Sequence, residues 1–387
     1  MHIEKIDDFN HLSSYSDSWN KLAFDAPQKL PTLSYAWVAS FYEHMLLPGE
    51  SWLCLMAMEG EELVGVLPVV ISPHRVFGLK RPNIMAPHNS HTFSVDFLAA
   101  GGIEHQVLPA LLDSLLQLQP NAFGFFLDRL TENSPTLSVL KSELKHATIV
   151  KEFNGFGSYL KIAGSFEDYR NRLDRKFTKN LTRRRKKLSC STEICTENLS
   201  GPDANKNHLA RFMKLESSGW KGRSGTAIEL SPPLVSFYST LISRLSRLGW
   251  LEWHFLSTGD RTVAGSLAVK MDRTLVGLKI GYDEEFSTYS PGHLLIEQLI
   301  ERAFREQDID EINAVTDMAW NAVWGMDKRP HFNLCIYPNH PLSFIFGAMR
   351  HRGKLGLKRL PAVPSIVRNL RSLQDKQLLK SWRRPQA

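Results

Sequence analysis

Along residues 274–304 the spacing of apolar positions changes period once. Val276, Leu278, Ile280 and Tyr282 alternate in twos and predict a half-buried strand, whereas Ile296, Leu299, Ile300, Ala303 and Phe304 recur at helical spacing. The junction reads Ser290-Pro291-Gly292-His293. Serine suits a helix N-cap, proline the first helical position, and glycine removes side-chain bulk. The pattern therefore predicts a strand, a short loop and an amphipathic helix, with the N–H groups of Gly292, His293 and Leu294 pointing out of the helix end. Unpaired donors and the helix dipole attract phosphate there. An ordinary capped helix is the alternative.

The same periodicities organise the rest of the chain. Residues 53–71 and 251–271 each read as an apolar strand, a Gly-acid turn (Gly60-Glu61, Gly259-Asp260) and a second strand entered through Gly-x-Leu. Two similar hairpins far apart point to an internal repeat of about half the chain. Residues 109–118, 206–219 and 233–248 read as helices, and 121–128 and 309–316 as strands. Between the halves, Phe166, Tyr169, Leu173, Phe177, Leu181 and Leu188 form one stripe of a helix over 165–188, opened by a capping box from Ser165 to Asp168. Its opposite face carries Arg172, Arg175, Lys176, Lys179 and Arg183 through Lys187. From 342 onward an apolar run passes into a basic segment with Pro361 and Pro364, then a last amphipathic stretch through Ile366, Leu370, Leu373, Leu378 and Leu379.

Charge sharpens this division. The net charge is +7, yet residues 170–188 hold ten Lys or Arg against Asp174, and residues 350–387 hold eleven against Asp375. The remainder is an acidic body, unlike a uniformly basic nucleic-acid binder. A dense basic helix attracts phosphate-rich ligands, and a basic amphipathic tail can lie on an anionic membrane. The chain opens Met1-His2-Ile3-Glu4 without a leader pattern, and no apolar run is long enough to span a bilayer. Cys54, Cys190, Cys195 and Cys335 have no metal or redox spacing and read as reduced thiols. The expected location is the cytoplasm, with peripheral contact at the inner face of the membrane as an option.

Three segments carry candidate chemistry. Residues 215–226 end a helix in a Gly-rich turn that holds Glu216, Trp220 and Lys221. Glu216 is a candidate general base, Trp220 a pocket wall, and Lys221 a holder for an anionic substrate; a helix C-terminus with a buried Trp is the alternative. Asp317 ends the strand expected over 309–316, where α/β sheets open, and Trp324 follows it; Asp317 can equally cap a short helix. His88 and His91 precede Asp96 without a metal-ligand frame, so His91 and Asp96 read as a polar pocket wall rather than a metal site. There is no GxSxG elbow, no GxxxxGK[ST] loop and no GxGxxG after a strand.

The ordered string E-S-S-G-W-K-G-R-S-G-T-A, G-Y-D-E-E-F-S-T-Y-S-P-G-H-L-L and T-D-M-A-W-N-A-V-W resembles acyltransferases of the cellulose-biosynthesis (CelD/BcsL) type. These belong to the GNAT superfamily and are related to Fem-type peptidyltransferases. The resemblance is clearest from about 165 to 340. It implies an α/β (α+β) protein with tandem GNAT-like domains, each a mixed, mostly antiparallel central sheet flanked by helices. The implied layout is an N-terminal GNAT-like domain over 1–160, a C-terminal acyltransferase domain over 161–345, and the basic tail over 346–387. The implied activity is transfer of an acyl group from acetyl-CoA or another acyl-CoA, with no metal, to an amine of an amino sugar or another polysaccharide or cell-envelope precursor. By the resemblance, Tyr289, Ser290, Pro291, Gly292, His293 and Leu294 bind the donor's pyrophosphate. Glu216 or Asp317 serves as base and Tyr282 as acid; Trp220, Lys221, His91, Asp96 and Trp324 line the acceptor pocket. The superfamily loop Q/R-x-x-G-x-G/A is replaced here by S-T-Y-S-P-G-H, which keeps a Fem-type aminoacyl-tRNA donor as the alternative. A non-catalytic GNAT-like protein that binds a membrane or partners is the third reading.

Overall fold

The computed structural model describes residues 1–140, 146–190 and 193–353, apart from the Trp220 side chain. The strands are β1 His2–Ile6, β2 Ser51–Glu59, β3 Glu62–Ser72, β4 Arg75–Val76, β5 Leu79–Lys80, β6 Asn83–Met85, β7 Leu98–Ala99, β8 Gly124–Thr131, β9 Ala147–Lys161, β10 Ile194–Ser200, β11 Leu251–Thr258, β12 Arg261–Met271, β13 Thr274–Tyr282, β14 Glu311–Asn313 and β15 Asp327–Pro338. Thirteen of them form one sheet in the order β1-β2-β3-β6-β8-β15-β9-β14-β13-β12-β11-β10, with β7 added beside β3. This is the mixed, mostly antiparallel α/β architecture that the sequence implied.

Both expected hairpins form, as β2–β3 and β11–β12. Their turns place Gly60 and Gly259 at φ +61 and +55, a region that glycine enters without the Cβ clash of other residues. Read inward from either edge, the sheet repeats one pattern. Three antiparallel pairings (β1-β2-β3-β6 and β10-β11-β12-β13) lead to one parallel pairing, β6 with β8 and β13 with β14. At the centre the halves exchange their last strands. β9 lies beside β14, β15 lies beside β8, and the two pair with each other from Ala147↔Pro338 to Tyr159↔Asp327.

Helices cover both faces. On one, the Tyr35–His44 and Pro232–Arg247 helices pack across the two halves, with Trp37 and Phe237 rings 5.5 Å apart and Arg244 bonded to both carboxylate oxygens of Glu43 at 2.8 and 2.9 Å. Burial of large aromatics such as these contributes roughly 1.5–3 kcal/mol per side chain. On the other face the Glu104–Leu118 helix covers the N-terminal strands, and the Pro291–Glu306 helix covers β11 to β13. Among the described residues no helix is long and apolar enough to cross a membrane.

Some elements depart from expectation. The basic helix over 165–188 is two helices, Phe166–Arg172 and Arg175–Ser189. Asp174 makes the break by accepting the Phe177 N–H at 2.7 Å and starting a new helix. One half of the expected capping box forms: the Ser165 hydroxyl accepts the Asp168 N–H at 3.1 Å, while the Asp168 carboxylate accepts that hydroxyl at 2.7 Å. The strand over 309–316 shortens to β14, because Asn313 Oδ1 accepts the Val315 N–H at 2.9 Å and Val315 turns left-handed at φ +53. The helix expected from 109 begins at Glu104. Of the tail over 346–387, residues 354–387 lie outside the described residues.

Candidate active site

β13 and β14 pair only from Thr274–Val276 to Glu311–Asn313. Beyond that point β13 stays with β12 as far as Ala264↔Tyr282, while the chain after β14 turns to β9 through Ala314 N–H to Ser158 O at 2.9 Å. The two strands therefore splay, and the β13 edge over 277–282 faces an open wedge. A bulge deepens it: Leu267 pairs with Lys279 and Ala268 with Gly277, so Leu278 is extra.

The Pro291–Glu306 helix starts at the end of this wedge. A Cβ at Gly292 would stand 3.6 Å from the Tyr282 ring, with no closer neighbour. The helix start differs from the expected serine cap. Ser290 is left-handed at φ +52 and makes no side-chain cap; its hydroxyl accepts instead from Arg184 Nη1 at 2.5 Å. The donors are fewer than expected as well. The His293 and Leu294 N–H groups both bond to Ser290 O, at 3.0 and 3.1 Å, which leaves that of Gly292 without a partner among the described residues. Arg184 supplies the positive charge that the missing donors would have given. His293 packs on Phe177 and Trp324, its Nδ1 is buried without a partner, and burial followed by Arg184 pushes its pKa down. Tyr289 packs beside Phe286 in the loop that leads to this helix.

A second cluster lies where the halves meet. Glu216 is 3% exposed, near the end of the Asn207–Ser218 helix. Its Oε1 accepts from Lys221 Nζ at 2.6 Å and its Oε2 from the Ile228 N–H at 3.0 Å. Gly281 of β13 brings the strand against it, since a Cβ there would lie 3.6 Å from Glu216 Cα. Lys279, two residues earlier on β13, stands over the Tyr238 ring at 5.7 Å, and the Tyr238 hydroxyl bonds to His91 Nδ1 at 3.0 Å. His91 comes from the N-terminal half, so both halves build this cluster. Burial, then the repulsion of Lys279, drops the His91 pKa to about 4, while burial and Lys221 lower that of Lys279 to about 8. At pH 7 the imidazole is neutral, and the cluster sets two lysines, Lys221 and Lys279, around the one carboxylate of Glu216.

The other expected site residues lie elsewhere. Asp317 bonds to Lys328 at 2.7 Å and to Ser158 at 3.2 Å, and Lys328 holds its carboxyl below the usual range. Asp96 is enclosed, taking the Phe97 N–H at 2.8 Å and Gln28 at 3.3 Å, with burial raising its pKa. Trp324 is buried under Phe177, at 5.0 Å between rings, and supports the donor helix end from below. The Trp220 side chain lies outside the described residues. His88 parts from His91 to meet Asp128 at 2.7 Å, and among the described residues no three His, Cys, Asp or Glu side chains lie close enough to hold a metal. Sequence reading missed Lys279 and Tyr238. Lys279 did leave a signal, as the one charge in the otherwise apolar run 275–282. Tyr238 left none, because it fits the apolar stripe of its helix.

Residues 175–319 match the Acetyltransf_6 family model, an acetyltransferase (GNAT) domain. The C-terminal half thus carries a GNAT domain, and the protein is an acyltransferase by class. Among solved structures, FemX is similar with a TM-score of 0.59 at 13% identity, over 88% of this chain and 99% of that one. A protein of unknown function from Bacteroides thetaiotaomicron VPI-5482 gives 0.52 at 11% identity, over 87% and 100%. At these identities the likeness speaks to the fold alone. No curated protein matches the sequence.

Proposed function

We propose that the protein is an acyl-CoA-dependent N-acyltransferase whose acceptor is an amine on a small anionic molecule. An amino sugar or another polysaccharide or cell-envelope precursor fits, as in the cellulose-biosynthesis type that the motifs resemble. The observation that carries the reading is the wedge between β13 and β14, with Arg184 and the Gly292 N–H at one end and Glu216 and Lys279 beside it. Gly281 turns toward Glu216 and Tyr282 toward Gly292, so β13 stands between the two clusters. A donor anchored at Gly292 reaches Glu216 only by threading the wedge, which suits an extended thioester arm with phosphates at its far end.

In this reading Gly292, Ser290 and Arg184 hold the phosphates, and backbone N–H groups on the open β13 edge stabilise the thioester oxygen as it gains charge. The excess positive charge of Lys221 and Lys279 favours an acceptor with an anionic group and lowers the pKa of its amine. Glu216, which keeps lone pairs on both oxygens, takes the proton as nitrogen attacks the acyl carbon. The carbon–sulfur bond breaks, and water protonates the departing thiolate, because Tyr282 lies against Gly292 at the phosphate end of the arm. Each carboxylate carries a lysine, Lys221 on Glu216 and Lys328 on Asp317, and place separates them: Glu216 stands against Gly281 of β13, whereas Asp317 is bonded to Ser158 of β9.

One observation favours the Fem-type alternative. Arg175, Lys176, Lys179, Arg183, Lys186 and Lys187 are exposed along the helix that brings Arg184 to the donor end, and such a row suits an RNA backbone. Thermal unfolding separates the readings. Acetyl-CoA or a longer acyl-CoA should stabilise the wild type by about 2.7 kcal/mol at a hundred times its Kd. Gly292→Trp, which fills the helix end, should abolish the shift. No shift with any acyl-CoA, together with a salt-sensitive shift by aminoacyl-tRNA, would transfer the assignment to the alternative.

A further inference from the structure

The π-helical segment Ser343–Met349 is amphipathic in the wrong sense for a helix packed on a core. Its small residues Ser343, Gly347 and Ala348 face inward and are buried. A Cβ on Gly347 would lie 2.4 Å from the Tyr337 ring, so the backbone itself packs on β15. Ser343 is tied down through its hydroxyl to Ala122 O at 3.3 Å. The large residues point to water instead: Phe344, Ile345, Phe346 and Met349 are all exposed. They continue into the β4–β5 hairpin, where Phe77 is 75% exposed and touches Phe346 ring to ring at 4.7 Å, and Leu79 is exposed beside it. Two separate chain segments thus converge on one protruding apolar knob. An exposed patch of this kind marks an interaction surface.

The charges around it identify the partner. Residues 73–83 contain no acid and carry Arg75, Lys80 and Arg81; residues 339–353 contain none and carry Arg350 and Arg352. Arg75, Lys80, Arg350 and Arg352 are all exposed. The chain that leaves the patch, 354–387, adds nine Lys or Arg against Asp375. Bulky apolar side chains within a basic ring match the interface of an anionic bilayer: the apolar groups enter the acyl boundary and the cations pair with headgroup phosphates. We infer that this knob docks the protein on the surface of an anionic phospholipid membrane, with the hairpin tip and the Ser343–Met349 segment as the inserting elements. The inference does not depend on which donor or acceptor the active site uses.

The test is co-sedimentation of the full chain with vesicles of phosphatidylcholine alone and with phosphatidylglycerol added, at low and high salt. The wild type should bind the anionic vesicles, more weakly as salt rises, and leave the neutral ones. Phe77→Ser with Ile345→Ser removes two exposed side chains and should keep the melting temperature of the wild type while vesicle affinity falls at least tenfold. Arg75→Glu with Lys80→Glu should weaken binding by a similar factor, since each basic group near an anionic surface strengthens it roughly fivefold. Three results overturn the inference: no binding by the wild type, binding that the Ser variant leaves unchanged (which assigns it to the tail alone), or a concentration-dependent dimer that the Ser variant dissolves (which makes the patch a self-contact).

Discussion

The two lysines beside Glu216 should respond to removal with opposite signs. Burial and Lys221 lower the Lys279 pKa from 10.5 to about 8. At 1.36 kcal/mol per unit, this corresponds to at most about 3 kcal/mol of destabilisation while the ammonium stays charged. The penalty is complete at pH 7, where folded and unfolded chains both hold the proton. Between about 8 and 10.5 the unfolded chain binds more protons than the folded one, so stability rises with pH until the penalty is gone. Lys279→Met should therefore be more stable than the wild type by up to about 3 kcal/mol at pH 7, with the gap closing toward pH 10.5. Lys221→Met does the reverse. It strips the 2.6 Å ion pair from Glu216, whose side chain is 1% exposed, and leaves only the Ile228 N–H beside a buried charge. Such a loss costs about 3–5 kcal/mol. Urea unfolding of the three proteins at neutral and alkaline pH measures both effects. A Lys279→Met variant that is less stable at pH 7, or a gap that ignores pH, refutes the electrostatic reasoning. In the proposed mechanism the stabilised Lys279→Met protein also loses acceptor turnover, so the position exchanges stability for function.

Further expectations follow the same geometry. Glu216→Gln should lower turnover by about 10²–10⁴, while Asp317→Asn stays within a few-fold of wild type, as steady-state kinetics would show. Trp37→Ala should cost about 3–5 kcal/mol in denaturant unfolding, because it empties the contact between the two halves. His91 has a folded pKa of about 4 against 6.5, so its contribution to stability is lost as pH falls through that interval. His91→Gln should flatten this part of the pH–stability curve, by about 3 kcal/mol in all. Gly347→Ala forces a methyl into the Tyr337 ring and should lower stability by about 1–3 kcal/mol.

Local pattern made much of the fold legible. Alternation in 53–71 and 251–271 with left-handed glycine turns gave the hairpins, and helical spacing gave the Pro232–Arg247 and Pro291–Glu306 helices. What pattern could not give is pairing at a distance. The exchange of β9 and β15 depends on which strands meet, and a strand's own residues do not encode its partner's position. The shortening of β14 came from one side-chain bond, Asn313 to Val315, that overrides strand propensity. At the site, Glu216, Lys221 and His91 were legible as polar residues in Gly-rich or His-rich surroundings, and they converge. Asp96 carried a similar signal yet serves the interior of one half, because a buried carboxylate looks the same in sequence whether its neighbours are protein groups or ligand. The basic helix was legible as a dense run of cations. That Arg184 is the residue turned to Ser290 was not, since the break at Asp174 sets the helix phase.

In the proposed reading, electrostatics decides which of the two parallel strand pairs takes the donor. Each half holds one, and each is followed by a helix. The N-terminal gap, beyond β6 and β8, opens on a cavity of about 410 Å³ lined in part by His88, Asp128, Arg129 and Asn333. A side-chain pair bridges it, His88 to Asp128 at 2.7 Å. Its helix begins with Glu104 in the first turn. A carboxylate in a first turn satisfies the helix dipole itself and repels a phosphate by the same interaction. The Pro291–Glu306 helix has no acid in its first turn and has Arg184 at its cap. Two copies of one strand arrangement therefore differ in the sign of charge at the helix start, and only the C-terminal copy suits an anionic donor. The N-terminal copy contributes from the other side, through His91 on Tyr238. In the proposed mechanism the acceptor side is thus built by both halves, with His91 and Tyr238 3.0 Å apart across them.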